Sequence, residues 1–462
     1  MKIDTKKIYF SKIIVVIIVL LVLLNIIGIE IENNSIDTLV LTTFALIGIY
    51  SIYQIYKDKI PFTLNKTFWY FNLIFFCVAP LIQYLSDYKE WGFQINNSDY
   101  LKSNLFILVS MLIFNIIYNG RKKIKPVETF KIKQINLKNI YIILLYIISF
   151  ACFILMILNV GFSNLLSRET NTATLSDNNM FNTIYVHIMK CIPVFAFTLI
   201  YYSKKKIDFG RIILLLMILL LNFPTSTTRF WMGAIFIGIF LILFCQKNMK
   251  NRLYDMIIII IFVIAFPILY EFKFHDINYF IENGIEITSI AESYNSVDYD
   301  AYSIIPRIFD YVKDNDIVYG QQVIGTILFM IPRGIWATKP YPTGIVLATE
   351  QGQTYTNISC PYISEGYINF GFLGMLIFQI FLAYLCKKMD FLYWSTNDRN
   401  KYVQVLYPYL MGFLIFLLRG SLHPVVVYFF CFCIPIIFVF GINLVNNIHK
   451  KISGGKINGI YK

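Results

Sequence analysis

A small set of ionisable side chains lies within apolar segments of the chain or at the ends of such segments. Placing a charge at membrane depth is costly, so residues of this kind are candidates for function. Arginine dominates the set, and its guanidinium fork suits bidentate recognition of phosphate. The pattern therefore predicts an anionic ligand. The candidates are Arg168, His187, Lys190, Arg229, Arg307, Arg333, Lys339, Glu350, Glu365, Arg419 and His423.

Each candidate also has a structural interpretation. A single arginine can extend to lipid headgroups or pair with a local carboxylate. His187 and Lys190 are three positions apart, share one helix face, and either line a cavity or form a buried polar pair. His423 lies in the short turn 419–424, where a capping or interface role competes with catalysis.

The elements that must position these residues are membrane-spanning helices. The chain has 462 residues, of which 57% are hydrophobic and 15% charged, a composition typical of membrane proteins. Apolar runs of about 20 residues, long enough to cross a hydrocarbon core, recur along the sequence and predict about twelve spans. They lie near 13–29, 37–55, 67–85, 101–118, 139–161, 180–202, 211–223, 230–246, 254–271, 367–386, 402–419 and 425–445.

The Lys and Arg residues between the predicted spans alternate between dense and sparse segments. Because basic loops stay on the cytoplasmic side, this alternation predicts that both termini are cytoplasmic and that segment 272–366 is a large extracytoplasmic loop. The predicted organisation is 1–271 with nine spans, the loop 272–366, and 367–462 with three spans. The net charge of +13 then belongs to the cytoplasmic face and to anionic lipid, without a nucleic-acid partner.

The loop divides into two parts of different composition. The part up to Asp316 is acidic and polar, whereas 319–336 is an apolar stretch too short to span, which could lie at the interface or re-enter the membrane. Cys360 is the one cysteine in this predicted outward segment, and no Cys/His spacing suggests zinc. We therefore expect no metal site and no cofactor.

The strongest local pattern joins two motifs. The first runs Trp336-Ala337-Thr338-Lys339-Pro340, shortly after Arg333, and the second runs Glu365-Gly366-Tyr367-Ile368-Asn369-Phe370-Gly371-Phe372-Leu373-Gly374 at the start of a predicted span. This arrangement resembles the Wzy-type O-antigen and capsular polysaccharide polymerases. In that family a large outward loop with a Trp-x-x-Lys-Pro element precedes a Glu-Gly-x-x-Asn-Phe-Gly-x-x-Gly helix start.

The resemblance implies an all-α, GT-C-like polytopic fold in a bacterial cytoplasmic membrane. It implies a metal-independent glycosyltransferase that joins undecaprenyl diphosphate-linked oligosaccharide repeat units, with a chain-length regulator as a further candidate partner. Catalytic roles fall to Glu365, Arg333 and Arg419, and substrate binding to Arg229, Arg307, Lys339, His423, Lys190, His187 and Arg168. Glu365 is either the base for the attacking hydroxyl or a cap of its helix dipole.

Three other functions fit parts of the pattern. A lipid-linked glycan flippase can also have about twelve helices and a charged cavity. An O-antigen ligase shares the layout and differs in its acceptor. A membrane acyltransferase is disfavoured, because no histidine stands at the depth that its chemistry needs.

Overall fold

The computed structural model describes residues 35–120, 132–166, 180–203, 209–223, 227–245, 253–262, 290–353, 358–395 and 400–437, with residues 124, 279, 282, 284, 355 and 356. Every regular element in these ranges is helical. We number the main helices α1 to α14. They are Thr38–Lys57, Leu64–Leu85, Asn97–Tyr118, Asn139–Val160, Met180–Ser203, Phe209–Leu221, Arg229–Phe244, Leu253–Ile260, Ile304–Asn315, Gln321–Ile327, Thr343–Glu350, Tyr362–Trp394, Lys401–Arg419 and Leu422–Ile437.

The helices confirm an all-α polytopic membrane protein. Within the described ranges, seven helices are long and apolar enough to cross a bilayer, and α6, α7 and α14 are shorter apolar helices. The predicted span 13–29 lies outside the described residues, and each of the other predicted spans overlaps a helix. The full number of crossings and the division 1–271, 272–366 and 367–462 stay predictions.

The chain folds as two compact units. The larger comprises residues up to Ile132 and Thr227–Val425, and the smaller comprises Lys133–Ser226 and the residues from Val426 onward. The smaller unit contains α4, α5 and α6, which pack around Met156, Leu165 and Leu221.

In the larger unit, α7 and α13 approach closely because glycine occupies their contact positions. A Cβ at Gly412 would lie 2.3 Å from the Ala234 Cα, and one at Gly238 would lie 2.1 Å from the Tyr409 ring. Trp231 of α7 and Phe413 of α13 are buried, and their ring centroids are 6.1 Å apart. Small residues at a helix contact let backbones approach, which gains dispersion contacts where lipid supplies no hydrophobic driving force.

Asp390 ties four helices together from a buried position on α12. Its carboxylate accepts hydrogen bonds from the Tyr118 hydroxyl at 2.6 Å, the Tyr407 hydroxyl at 2.5 Å, and the backbone N–H groups of Leu64 and Asn65. The N–H groups of Leu64 and Asn65 have no acceptor inside α2, because they lie in its first turn. The dipole of α2 also favours a negative charge at this end. A buried charge on α12 thus obtains the partners that it needs from three other helices.

The described part of the predicted loop has its own helices and a small core. Helices α9, α10 and α11 lie in it, and its apolar core contains Ile304, Ile308, Leu347, Ile358 and Cys360. Ile368 of α12 joins the same core. The loop therefore packs onto the start of a membrane-spanning helix.

Helix α12 contains a kink close to its start. Gly371 has φ +65° and ψ −153°, a conformation accessible to glycine because it lacks a Cβ. The carbonyl groups of Ile368 and Asn369 accept hydrogen bonds from the N–H groups of Val318 and Gly320 in the loop. With 33 residues α12 is about 50 Å long at about 1.5 Å per residue, more than the ~30 Å of a hydrocarbon core. We infer that the turns before the kink extend beyond the hydrocarbon.

Glycine is also required at positions 366 and 374, where the backbone before the kink approaches the backbone after it. A Cβ at Gly374 would lie 2.0 Å from the Gly366 carbonyl oxygen, and a Cβ at Gly366 would lie 2.7 Å from the Gly374 carbonyl oxygen. The two backbones are therefore in direct contact. Three glycines of the second motif, at positions 366, 371 and 374, shape this one kink.

We expect Gly374→Ala to destabilise the larger unit by about 1–3 kcal/mol, the usual cost of overpacking, because the added methyl meets backbone. Thermal unfolding in detergent, followed by circular dichroism, measures the effect. Gly334→Ala is the matched control, since a Cβ there has no neighbour within 4 Å. Equal melting temperatures for the two variants would contradict the proposed backbone contact.

Candidate functional site

Arg419, the last residue of α13, is bound to the acidic part of the loop. Its Nη2 donates to Asp300 Oδ1 at 2.8 Å and to the Val297 carbonyl at 2.9 Å, and its Nε donates to the Asp298 carbonyl at 3.0 Å. The guanidinium also lies 4.4 Å from the Phe230 ring centroid. A guanidinium has five N–H donors. Arg419 thus makes three hydrogen bonds within the protein.

Arg229, the first residue of α7, pairs with the neighbouring aspartate. Its Nη2 lies 2.5 Å from Asp298 Oδ2, and both side chains are nearly buried. Two arginines and two aspartates thus form a network of equal and opposite charge, which we call the arginine–aspartate network. Such a network holds the loop against the ends of α7 and α13, because separating the partners would leave buried charges uncompensated.

Asp300 extends this network towards α12. Its Oδ2 accepts a hydrogen bond from the Ser359 N–H at 3.0 Å, and its Oδ1 accepts one from the Ser359 hydroxyl. Ser359 lies three positions before the start of α12. One buried carboxylate therefore connects α13, the acidic part of the loop and the approach to α12.

Arg307 on α9 forms a second buried anchor. Its Nη1 donates to Gln351 Oε1 at 3.0 Å, its Nη2 donates to the Glu90 carbonyl oxygen, and its guanidinium lies 4.8 Å from the Phe93 ring centroid. The Glu90 carboxyl accepts from the Ser303 hydroxyl at 2.8 Å through Oε2. Arg307 thus fastens α9 to the connection between α2 and α3.

Arg333 and Lys339, which we call the cationic pair, bind carbonyl groups, whereas Arg229 and Arg419 bind aspartates. Arg333 donates to the carbonyl oxygens of Lys339 and Pro340 and lies 3.8 Å from the Tyr341 ring centroid. The Lys339 ammonium donates to the carbonyl oxygens of Phe329 at 2.6 Å and Ile331 at 3.0 Å. Burial, with the charge of Arg333 nearby, lowers the pKa of Lys339.

No carboxylate in the described part of the chain forms an ion pair with either member of the cationic pair. Among the residues that the structure describes, their positive charge is balanced only by peptide dipoles and a ring face. An anion that approaches the pair would therefore meet an uncompensated charge, whereas at the arginine–aspartate network it would have to displace an aspartate.

Glu365 is buried where three segments meet. Its carboxylate accepts from the Thr343 hydroxyl at 2.6 Å, from the Ser421 hydroxyl at 3.0 Å and from the Leu422 N–H at 2.8 Å. Leu422 is the first residue of α14, so the carboxylate occupies the N-terminal end of that helix. The helix dipole that it complements belongs to α14, although Glu365 itself lies in the first turn of α12.

His423 follows Leu422 and connects Glu365 to the cationic pair. It is half-buried, and burial, followed by the charges of Lys339 and Arg333, lowers the pKa of its imidazole to about 4. Tyr341, under the Arg333 guanidinium, is two residues before Thr343, which donates to Glu365. Short chain segments therefore connect Arg333, Lys339, Glu365 and His423 within the larger unit.

The remaining predicted candidates lie elsewhere. His187 and Lys190 are buried on α5 in the smaller unit, where the His187 ring lies 4.4 Å from the Tyr428 ring. Glu350 accepts a hydrogen bond from Asn315 on an exposed part of the loop. Arg168 lies outside the described residues.

Sequence reasoning did not assign partners to Asp298, Asp300 and Glu90. It allowed an arginine to pair with a local carboxylate, but Asp300 is 119 positions from Arg419. The acidic composition of the loop up to Asp316 was the one available signal, and it does not identify which carboxylates face arginines.

Comparisons with known proteins add no family. No family model matches the chain, and neither a curated protein nor a solved structure matches it.

We expect folding stability to depend on pH through Glu90. Burial, and then the charge of Asp300, hold the pKa of its carboxyl well above the usual range, and its Oε1 has no hydrogen-bond partner among the described residues. The folded state keeps this proton above pH ~4.3, where the unfolded chain loses it, so the contribution of Glu90 to stability falls as pH rises towards the folded-state pKa.

Glu90→Gln should remove this pH dependence, because an amide does not titrate. We expect the variant to gain melting temperature relative to the parent protein as pH rises from 5 to 8. Unfolding curves in detergent at several pH values measure the difference. A difference between variant and parent that stays constant with pH would show that Glu90 does not titrate as described.

We expect Arg419→Gln to destabilise the protein more than Arg333→Gln. The first leaves Asp300 buried without its ion partner, which costs roughly 3–5 kcal/mol, whereas the second removes hydrogen bonds to carbonyl groups, worth about 1 kcal/mol each. The free energy of unfolding in a denaturant titration, measured without ligand, compares the two. Equal losses would argue against different roles for these arginines.

Proposed function

We propose that the chain is a metal-independent glycosyltransferase that polymerises undecaprenyl diphosphate-linked oligosaccharide repeat units. It acts on the outer face of a bacterial cytoplasmic membrane, within a polytopic GT-C-like fold of about twelve spans. The acceptor hydroxyl attacks the anomeric carbon of the donor glycan, the bond from that carbon to the diphosphate breaks, and undecaprenyl diphosphate leaves. The observation that carries the proposal is the cationic pair, whose charge no described carboxylate neutralises and whose two cations are held by carbonyl groups.

The leaving diphosphate is assigned to Arg333 and Lys339. Negative charge grows on the diphosphate as the bond breaks, and positive groups already held in place stabilise that charge without having to reorganise. Arg333 is fixed by two carbonyl groups and the Tyr341 ring, and Lys339 by two further carbonyl groups. Both cations are thus oriented before substrate binds.

Arg229, Arg419 and Arg307 are assigned to positioning the loop. Each already has a carboxylate or amide partner in the protein. This assignment refines the diphosphate clamp expected from the sequence, in which Arg419 and Arg229 stood beside Arg333. The reason is electrostatic, because an arginine that is paired with a buried aspartate presents little net charge to a ligand.

His423 is assigned as the group that accepts the proton of the acceptor hydroxyl, and Glu365 as the group that positions it. The Glu365 carboxylate is buried and accepts three hydrogen bonds, whereas the His423 imidazole is half-buried beside the cationic pair. By holding Leu422, Glu365 fixes the turn that carries His423 next to the leaving group. A general base must be within hydrogen-bond reach of its proton, and this turn determines that geometry.

Deletion of the gene tests the reaction class. We expect surface glycan chains to shorten to a single repeat unit while export continues, because the units still reach the outer face. Complete loss of surface glycan would instead indicate a flippase, and polymer that accumulates on the lipid carrier would indicate a ligase.

Arg333→Gln tests the assigned site in purified protein supplied with lipid-linked repeat units. We expect a loss of polymer of about 10²–10³-fold, the usual cost of removing one preorganised group that stabilises transition-state charge. Lys313→Gln, an exposed change on α9 away from the site, is the control and should leave polymer output unchanged. Unchanged output from Arg333→Gln, with a folded protein, would remove Arg333 from the site.

A further inference from the structure

The apolar stretch of the loop presents a continuous apolar edge, which we call the apolar ledge. It is formed by α10 and by the turns before and after it. Its large exposed side chains are Tyr319, Ile324, Ile327, Leu328, Met330 and Ile335. Ile327 is 68% exposed and Ile335 is 81% exposed, values that are unusual for aliphatic side chains grouped on one surface.

The apolar ledge is fastened to a membrane-spanning helix. The N–H groups of Val318 and Gly320 donate to the Ile368 and Asn369 carbonyl groups of α12, at 3.0 and 3.2 Å. Gly320 also lies against the Phe370 ring, because a Cβ there would be 2.6 Å from that ring. The apolar ledge therefore begins beside the kink of α12.

The exposed surface of α12 continues from the apolar ledge. Phe370, Phe372 and Leu373 are exposed around the kink, and Ile377 and Phe381 are exposed further along the same helix. In a helix that spans the membrane, exposed side chains of this type contact lipid acyl chains. The apolar ledge and the exposed apolar side chains of α12 therefore adjoin at the kink.

Polar and amphipathic groups border the apolar ledge. Tyr319, at the first end of the ledge, and Tyr341, outside it, have rings with a polar tip, a type of side chain enriched at membrane–water interfaces. Arg333 stands between Met330 and Ile335 in sequence, and its guanidinium is bound at the Tyr341 ring. An apolar edge bordered by tyrosine and arginine is the arrangement of an element that lies in the plane of the interface.

We propose that the apolar ledge inserts into the membrane leaflet on the loop's side and contacts the acyl chains of its lipids. The occupant of this surface is lipid hydrocarbon, and the inference does not depend on the proposed glycosyltransferase activity. The loop's own core leaves these aliphatic side chains exposed to water. Insertion removes them from water, which is favourable because of the hydrophobic effect. It also fixes the loop at a defined depth.

The depth of the apolar ledge determines how a lipid-linked substrate would reach the cationic pair, a step that rests on the proposed function. With the apolar ledge in the acyl region, Arg333 and Lys339 lie near the level of the headgroups. A lipid-linked substrate has its phosphates at that level and its chain among the acyl tails. Such a substrate could reach the cationic pair by moving within the leaflet.

Fluorescent labels on introduced cysteines test the insertion. Ile327→Cys and Ile335→Cys are each labelled with an environment-sensitive fluorophore in the full chain and reconstituted in lipid vesicles. Vesicles that contain lipid with a nitroxide on the acyl chain should quench both labels. A nitroxide near the headgroup end of the chain should quench more than one near the methyl end, because interfacial elements lie about 5–10 Å deep.

Two matched positions calibrate the measurement. Thr349→Cys, on an exposed part of α11, should be quenched by aqueous iodide and not by nitroxide lipid, and Ile377→Cys on α12 should show the reverse. The unsubstituted chain gives the labelling background from its own cysteines, six of which are buried and one half-buried among those that the structure describes.

The proposal is overturned by either of two results. Iodide quenching at positions 327 and 335 equal to that at Thr349 would place the apolar ledge in water. Protection from both quenchers would show that protein covers it. Neither result would affect the proposed polymerase activity, which the gene deletion and Arg333→Gln test separately.

Discussion

Asp300 is a buried carboxylate whose hydrogen bonds join three parts of the chain that are distant in sequence. It pairs with Arg419 at the end of α13, it lies in the acidic part of the loop, and it accepts from Ser359 before α12. A carboxylate in a low-dielectric interior is stable only when such partners are present. The position of the loop over the helix ends, and with it the geometry of the candidate site, depends on this requirement.

The same requirement divides the arginines into two groups. Arg229 and Arg419 have aspartate partners, whereas the partners of Arg333 and Lys339 within the described ranges are carbonyl groups and a ring. A paired arginine supports structure, and a cation balanced by dipoles alone attracts an anion. The candidate ligand site therefore lies at the cationic pair, and the arginine–aspartate network holds the acidic part of the loop at the ends of α7 and α13.

The kink in α12 connects the membrane region to this site. Its backbone conformation needs glycine at positions 366, 371 and 374, and it exposes two carbonyl groups that bind the loop at Val318 and Gly320. Glu365, just before the kink, reaches the start of α14 and so fixes His423. The segment Glu365–Gly374, which is the second motif, thus holds together the start of α12, the loop and the turn before α14.

The sequence by itself determined the class of protein and the positions of its helices. Apolar runs of helical length are a local property, so each predicted span that falls among the described residues overlaps a helix. The sequence also selected Arg333, Lys339, Glu365 and His423, because ionisable residues beside apolar runs are conspicuous. It could not divide the arginines into paired and unpaired groups, since Asp300 is 119 positions from Arg419. Nor could it show that Glu365 caps α14 instead of its own helix. Pairing between distant residues depends on how helices pack, and only the tertiary structure decided which charges were neutralised and which were left to meet a ligand.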